Sequence, residues 1–377
     1  MRVAMHTSIG DRCGIAAYSR ELIRAFDPAI SVDLVPIEPG RHPLEYYGQI
    51  ADRLNAADLV HIQHEYSFWG GIMPGNGDFS YLRSRLRKPS VITAHTSYTL
   101  PGMFRLTHER RPVHRTLKRL LCAWPAYRRA IEEAPFLPGQ CIVHTREAAA
   151  ALVARGAAPD DLHVIAAGIP SALPQSDGGA AFRARHGLGQ RRCVALFGFT
   201  TPFKGYELAV QALTAMPPDV ALVIAGGARV PEEQPYLDAL QSSITAMGLS
   251  DRVVITGYIP DSQLAGAMAC AELVLVPHTR ATGSYSVTVP LAHSRAIIAS
   301  DLACFRDIAA DGGGIRLFRS GDASELLAAV LEVLEAPSIR ERMERDAGAF
   351  AAAHSWRSVA ERTVEVYERA LSSGASP

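Results

Sequence analysis

Lys204 is the side chain with which a chemical reading of this sequence starts. It lies in LFGFTTPFKGYELAVQ, residues 196–211, where Cys193 to Phe197 reads as a buried parallel strand and Gly198 to Gly205 as a loop rich in Thr, Pro and Gly. From Tyr206 the apolar residues Leu208, Ala209, Ala212 and Leu213 fall on one face of a 3.6-residue repeat, so a helix starts here and turns its first N–H groups back into the loop. A lysine beside such a helix start makes an anion site, its ammonium acting as a point charge on a phosphate. The same pattern also describes an ordinary strand-to-helix turn with a solvated lysine, so other stretches must decide.

A second helix start is written in Pro277 to Asp301, PHTRATGSYSVTVPLAHSRAIIASD. A strand ends at Pro277, a polar loop carries Thr282, Gly283, Ser284 and Ser286, and a helix begins near Ser286. Facing Lys204, this loop would complete a diphosphate cradle of one cation, a helix dipole and several N–H donors. Gly257-Tyr258-Ile259-Pro260 also follows a strand, and its backbone can read the edge of a nucleobase with Tyr258 beside it; loops at this point of any α/β sheet look alike. In the first half, Gly10 to Gly14 is a tight loop between a strand and a helix, bringing the backbone at Gly14 near a ligand phosphate. The spacing is not G-x-G-x-x-G, which argues against a nicotinamide dinucleotide. Two further strands end at Glu65 and His95, and ligands in open parallel sheets bind beyond the carboxyl ends of strands, so Gly14, Glu65 and His95 are expected to be neighbours.

The other histidines fit no metal. His61 and His64 sit on a strand where they point to opposite faces, while a catalytic zinc site needs three convergent ligands. His95 at its strand end is either a chemical group or a loop histidine bonded to a backbone carbonyl. There is no G-x-S-x-G elbow for a serine hydrolase. Between Arg105 and Arg129 eight arginines and lysines interleave with Leu117, Leu120, Leu121 and Trp124. That run is a solvated helix face or a basic amphipathic helix for anionic lipid or a phosphorylated acceptor.

At 377 residues the chain calls for two domains, and the stretch GIPSALPQSDGG, residues 168–179, is the best linker between them. Lys plus Arg and Asp plus Glu both number 38, so no global charge points to nucleic acid. The six cysteines show no C-x-x-C and read as buried reduced thiols. MRVAMHTS is neither a signal peptide nor a span, which implies a cytoplasmic protein; in the amphipathic-helix reading of residues 105–129, that run would also touch the inner membrane face. Alternating strands and helices in both halves imply an α/β fold of doubly wound parallel sheets. Strands are expected at 194–197, 221–225, 253–256, 273–276 and 296–299 of the second half, with helix from Asp322 onward.

Taken together, Gly-x-x-x-x-Phe-Lys-Gly at 198–205, VITAHTSYTLPG around His95, HIQHEYSFWGG at 61–71, GYIPDSQL at 257–264, IIASDLACFRDIA at 297–309 and the terminal HSWRSVAERTVEVYERAL resemble the family-four glycosyltransferases of the GT-B fold. The resemblance runs nearly end to end. It implies two Rossmann-like doubly wound domains facing a central cleft: residues 1–170 on the acceptor side, 171–353 on the nucleotide-sugar side, and 354–377 crossing back to the N-terminal domain. It implies a retaining, metal-independent hexosyltransferase-type enzyme without a cofactor, moving a sugar from a nucleotide-diphosphate sugar to a hydroxyl of a glycan, lipid-linked or small-molecule acceptor. By this resemblance Lys204 neutralises the donor diphosphate, Gly14 approaches that phosphate from the other domain, and His95 contacts the transferring sugar. Gly198, Phe199, Tyr258, Ile259 and Leu264 then border the nucleoside, and Arg12 and Glu65 the acceptor.

Two departures from the family pattern stand out. Phe199 occupies the place of an arginine after the loop glycine, and Ala281 and Val289 replace the usual Glu-x7-Glu pair. The resemblance then points to a branch in which Gly283, Ser284, Tyr285 and Ser286 hold the phosphates, with Arg280 as a substitute cation. The same losses motivate a rival reading, a catalytically silent GT-B protein that binds nucleotide sugars or activates a partner. An epimerase of the same fold would need a cluster of acids and bases that the sequence does not show.

Overall fold

The computed structural model describes residues 1–10, 13–38, 40, 42–69, 77–96, 116, 120, 121, 123–126, 139–172, 179–228, 230–281 and 285–374. Arg12, Gly283, Ser284, most of the basic run at 105–129 and linker residues 173–178 lie outside them. The chain divides into two compact units, Met1–Gly168 with Trp356–Pro377, and Ile169–Ser355. The units meet at 168/169 and 355/356, where the sequence placed its boundaries at 170/171 and 353/354.

The first unit carries β1 (Arg2–Thr7), α1 (Gly14–Ala25), β2 (Ser31–Pro36), α2 (Leu44–Leu54), β3 (Leu59–His64), α3 (Gly77–Ser84), β4 (Ser90–Ala94), β5 (Gln140–Val143), α4 (Arg146–Val153) and β6 (Leu162–Val164). The strands pair in the order β2-β1-β3-β4-β5-β6 and every pairing is parallel. Runs such as LVHIQH in β3 are buried at every position, as strands covered by helices on both faces must be. Thr145 accepts the Ala148 N–H and caps α4, so that its orphan donors do not go unpaired.

The final helix of the chain, Trp356–Ser372, belongs to this unit. Its residues Trp356, Val359, Ala360, Thr363, Val366, Tyr367 and Ala370 are buried at helical spacing against α1, β4 and β5. Gly168 makes room for it: a Cβ there would lie 2.4 Å from the Trp356 ring.

The second unit carries α5 (Ala180–Arg185), β7 (Arg192–Phe197), α6 (Tyr206–Leu213), β8 (Val220–Ala225), α7 (Gln234–Ala246), β9 (Val253–Ile255), α8 (Asp261–Cys270), β10 (Ala271–Val276), α9 (Tyr285–Ala292), β11 (Ile297–Ser300), α10 (Ala303–Ala310), β12 (Ile315–Phe318), α11 (Ala323–Glu335) and α12 (Pro337–Ala353); the Trp356–Ser372 helix of the first unit, next in the chain, is α13. Its sheet runs β12-β11-β10-β7-β8-β9, all parallel. The sequence reading missed β12. IRLF is four residues long, is broken by the exposed Arg316 and lies at the sheet edge, so the run is too short to stand out in a window of residues. Asp322 caps α11 through the N–H groups of Ser324 and Glu325. No helix among the described residues is long and apolar enough to cross a membrane.

Candidate active site

In both sheets the chain reverses its direction of winding beside the first strand: between β7 and β10 in the second unit, and between β1 and β3 in the first. Crevices beyond the carboxyl ends of strands at such points are where α/β sheets bind ligands. Lys204 lies in the second unit's crevice, in a single 3-10 turn (Pro202–Lys204) between β7 and α6.

Backbone contacts fix that turn in place. The Thr279 N–H, just past β10, donates to the Phe203 carbonyl at 2.8 Å, and the buried Tyr206 hydroxyl donates to the Gly198 carbonyl at 2.8 Å. Gly205 has φ +71°, and a Cβ there would sit 2.0 Å from the Pro277 carbonyl oxygen. Only glycine permits both the left-handed backbone and this approach. Gly205→Ala is accordingly expected to cost about 3 kcal/mol, the sum of left-handed strain and overpacking. Denaturant unfolding measures it, and a loss under about 1 kcal/mol would show that the loop yields. As the residue before α6, Gly205 also offers no side-chain cap, which leaves the first N–H groups of the helix directed at the crevice.

His278 is a residue the sequence reading passed over. It is buried, lies against Phe305, and its imidazole is pushed down to about 3, first by burial and then by the nearby Lys204 charge. Lys204 thus has a neutral neighbour at the end of β10. A polar residue directly after the apolar run ELVLVP was the available signal.

The expected nucleoside border is split. Gly226 would place a Cβ 1.9 Å from the Gly198 carbonyl oxygen, and Gly227 one 3.1 Å from the Gly257 Cα, so the ends of β7, β8 and β9 meet backbone to backbone. Phe199 and Tyr258 stand exposed at 40% and 73%. Ile259 and Leu264, by contrast, are buried in a core cluster with Val223, Ala267 and Met268, where only their main chains remain to face a ligand. Ala281 packs against the apolar cluster of Val276, Val287 and Cys304, and Val289 is buried; the positions of the missing glutamates have become core. α9 starts at Tyr285, and Arg280 is exposed.

In the first unit the strand ends do converge. The His95 N–H donates to the His64 carbonyl, and the Thr96 hydroxyl donates to Glu65 Oε1 at 3.2 Å. Gly14 opens α1, and one turn later Tyr18 meets the His95 ring edge-on at 5.1 Å. A Cβ at Gly14 would touch nothing within 4 Å, so packing inside the unit does not require glycine there. Both His95 ring nitrogens are bonded to neighbours, Nε2 to Gln63 at 2.8 Å and Nδ1 to His144 at 3.2 Å. Burial, with His144 beside it, holds the ring well below the usual histidine range. Burial likewise raises the Glu65 carboxyl. His61 and His64 face opposite sides of β3, the first toward Tyr367, the second packed among Tyr66, Trp69 and Phe79.

Two six-stranded parallel Rossmann-like units, each with a crevice at its winding reversal, define the GT-B class of fold. Residues 14–173 match the family described as Glycosyltransferase Family 4, and residues 181–349 the one described as Glycosyl transferases group 1. The chain belongs to the family-four glycosyltransferases. It is 26% identical to the MMP alpha-(1->4)-mannosyltransferase of Mycolicibacterium hassiacum over 62% of this chain and 55% of that protein. With the D-inositol 3-phosphate glycosyltransferase of Segniliparus rotundus it shares 26% identity over 78% of this chain and 64% of that protein. The chain spans about half the length of several curated relatives it matches. The crystal structure of Anabaena Alr3699/HepE in complex with UDP and glucose superimposes with a TM-score of 0.73 at 16% identity, covering 98% of this chain and 99% of that one.

Proposed function

We propose that this chain is a retaining glycosyltransferase that moves a sugar from a nucleotide-diphosphate sugar to an acceptor hydroxyl. The observation that carries the reading is Lys204 at the uncapped start of α6, held at the β7/β10 reversal by a glycine whose Cβ would meet the Pro277 carbonyl. A cation and a helix N-terminus at one point suit a diphosphate. As the glycosidic bond breaks, negative charge grows on the leaving diphosphate, and Lys204 with the α6 amides stabilises it there. The leaving diphosphate itself takes the acceptor proton, so neither a dedicated base nor a metal is required. The second unit takes the donor, with the nucleoside against the backbone at Gly198, Gly226 and Gly257 and the aromatic faces of Phe199 and Tyr258. The amides of the α9 start and Arg280 serve the phosphates, and the first unit receives the acceptor near Glu65.

The neighbours support this reading, since one solved structure of the same fold holds UDP and glucose and the relatives named above are glycosyltransferases. A thermal-shift panel of nucleoside diphosphates and nucleotide sugars tests it. One nucleotide family is expected to raise the melting temperature selectively, equally with and without EDTA. No shift with any of them would favour the silent GT-B reading that Phe199, Ala281 and Val289 suggest, and a shift abolished by EDTA would refute the metal-free site.

A further inference from the structure

A continuous chain of buried polar side chains runs through the first unit behind its strand ends. The Tyr367 hydroxyl on α13 lies 2.6 Å from His61 Nδ1, and His61 Nε2 lies 2.8 Å from Thr93 Oγ1 and 3.1 Å from the Gln63 amide. The other end of that amide is 2.8 Å from His95 Nε2. His95 Nδ1 is 3.2 Å from His144 Nε2, and His144 Nδ1 is 2.9 Å from the Ile165 carbonyl.

The carbonyl at the far end orders the protons. It can only accept, so His144 carries a hydrogen on Nδ1, and a neutral His144 turns an Nε2 lone pair toward His95. His95 must then donate from Nδ1. If the Gln63 oxygen faces His95 Nε2, that nitrogen also needs a hydrogen, and the His95–His144 pair holds a net positive charge. With the amide turned end for end, Gln63 gives its N–H to His95 and its oxygen to His61 Nε2–H, while His61 Nδ1 accepts from Tyr367. Every ring is then neutral and satisfied. The titratable groups around His95 are His61 from β3, His144 just past β5 and Tyr18 from α1, with His64 acting from the other face of β3 and Glu65 reaching the same strand end through Thr96. Among the described residues no carboxylate is hydrogen-bonded to the chain, and a buried cation without a partner is costly.

We propose that Gln63, backed by His61 and Tyr367 and opposed by His144, positions His95 as a neutral imidazole protonated on Nδ1, and that reversal of the Gln63 amide is the step that admits one proton to the His95–His144 pair. This rests on the glycosyl-transfer reading. The sugar carbon gains positive charge as the diphosphate departs, and an imidazolium at the end of β4 would oppose that charge. Gln63, His61, His144 and Tyr367 are positioning residues in this scheme.

The test is nitrogen-15 NMR of the full chain labelled in histidine, with the pH profile of kcat for wild type and Gln63→Glu. At neutral pH His95 and His144 should carry hydrogen on Nδ1 and His61 on Nε2; a His95 hydrogen on Nε2 overturns the assignment and needs no variant to be seen. A carboxylate at 63 accepts from both rings, so the His95 titration and the acid limb of kcat should both move up by about 2 pH units. A fixed acid limb beside a moved titration would remove the link to transfer. Expected tautomers in a wild type that transfers from no nucleotide sugar would instead overturn the glycosyl-transfer reading and leave the proton assignment standing.

Discussion

Lys204→Ala is expected to lower kcat for sugar transfer by about 10²–10³, the loss that follows removal of one preorganised group from a developing anion. The side chain is half-buried on a loop whose geometry is held by Gly205, Tyr206 and Thr279, none of which the substitution touches. The variant should therefore unfold within about 0.5 kcal/mol of wild type, as a substitution outside the core does. His278 supplies a second readout. Its imidazole is depressed by burial first and by Lys204 second, so its titration should rise in the variant yet stay below 6.5. An unchanged transfer rate would take the diphosphate role away from Lys204. An unchanged His278 would show that the ammonium points elsewhere.

Acid should unfold the first unit well before the second. His6, His61 and His64 are buried in that unit and pushed down from 6.5 to about 4, 3 and 3, in each case chiefly by burial. Above pH 6.5 these rings are neutral whether the chain is folded or not, and stability is unaffected. Between 6.5 and their folded values only the unfolded chain takes up the protons, so stability falls with pH across that window and levels off below it. At pH 5 each ring costs roughly 2 kcal/mol, and three cost about 6, comparable to the whole stability of a typical domain. The second unit has one ring with so low a value, His278. Trp69, Trp124 and Trp356 all belong to the first unit, so tryptophan fluorescence follows it alone while far-ultraviolet circular dichroism follows both. Fluorescence should change first as pH drops from 7 to 4, with much of the helical signal retained. A single coincident transition would contradict the unequal distribution of buried imidazoles.

The sequence by itself determined the fold class and most of the elements, the edge strand β12 excepted. Short apolar runs rich in Val and Ile and bounded by turn residues, such as VALVIA, read as buried strands, and amphipathic repeats such as those of α1 and α13 bury one stripe, so βα alternation was legible without coordinates. Lys204 was legible for a similar reason, because a strand, a glycine loop and a helix start are local features. Tertiary structure decided what depends on residues far apart in the chain. The need for glycine at 205 comes from the Pro277 carbonyl, 72 residues away. The resemblance placed Ile259 and Leu264 beside the nucleoside, but the loop after β9 and the first turn of α8 bury their side chains in the core. His95 looked like a histidine with a nitrogen to offer; its partners Gln63 and His144 come from neighbouring strands, and the Tyr367 behind them lies 306 residues from His61. Spacing along a chain reports which face a residue shares with its near neighbours. Which groups complete its hydrogen bonds is set by strand order, and that exists only in the folded sheet.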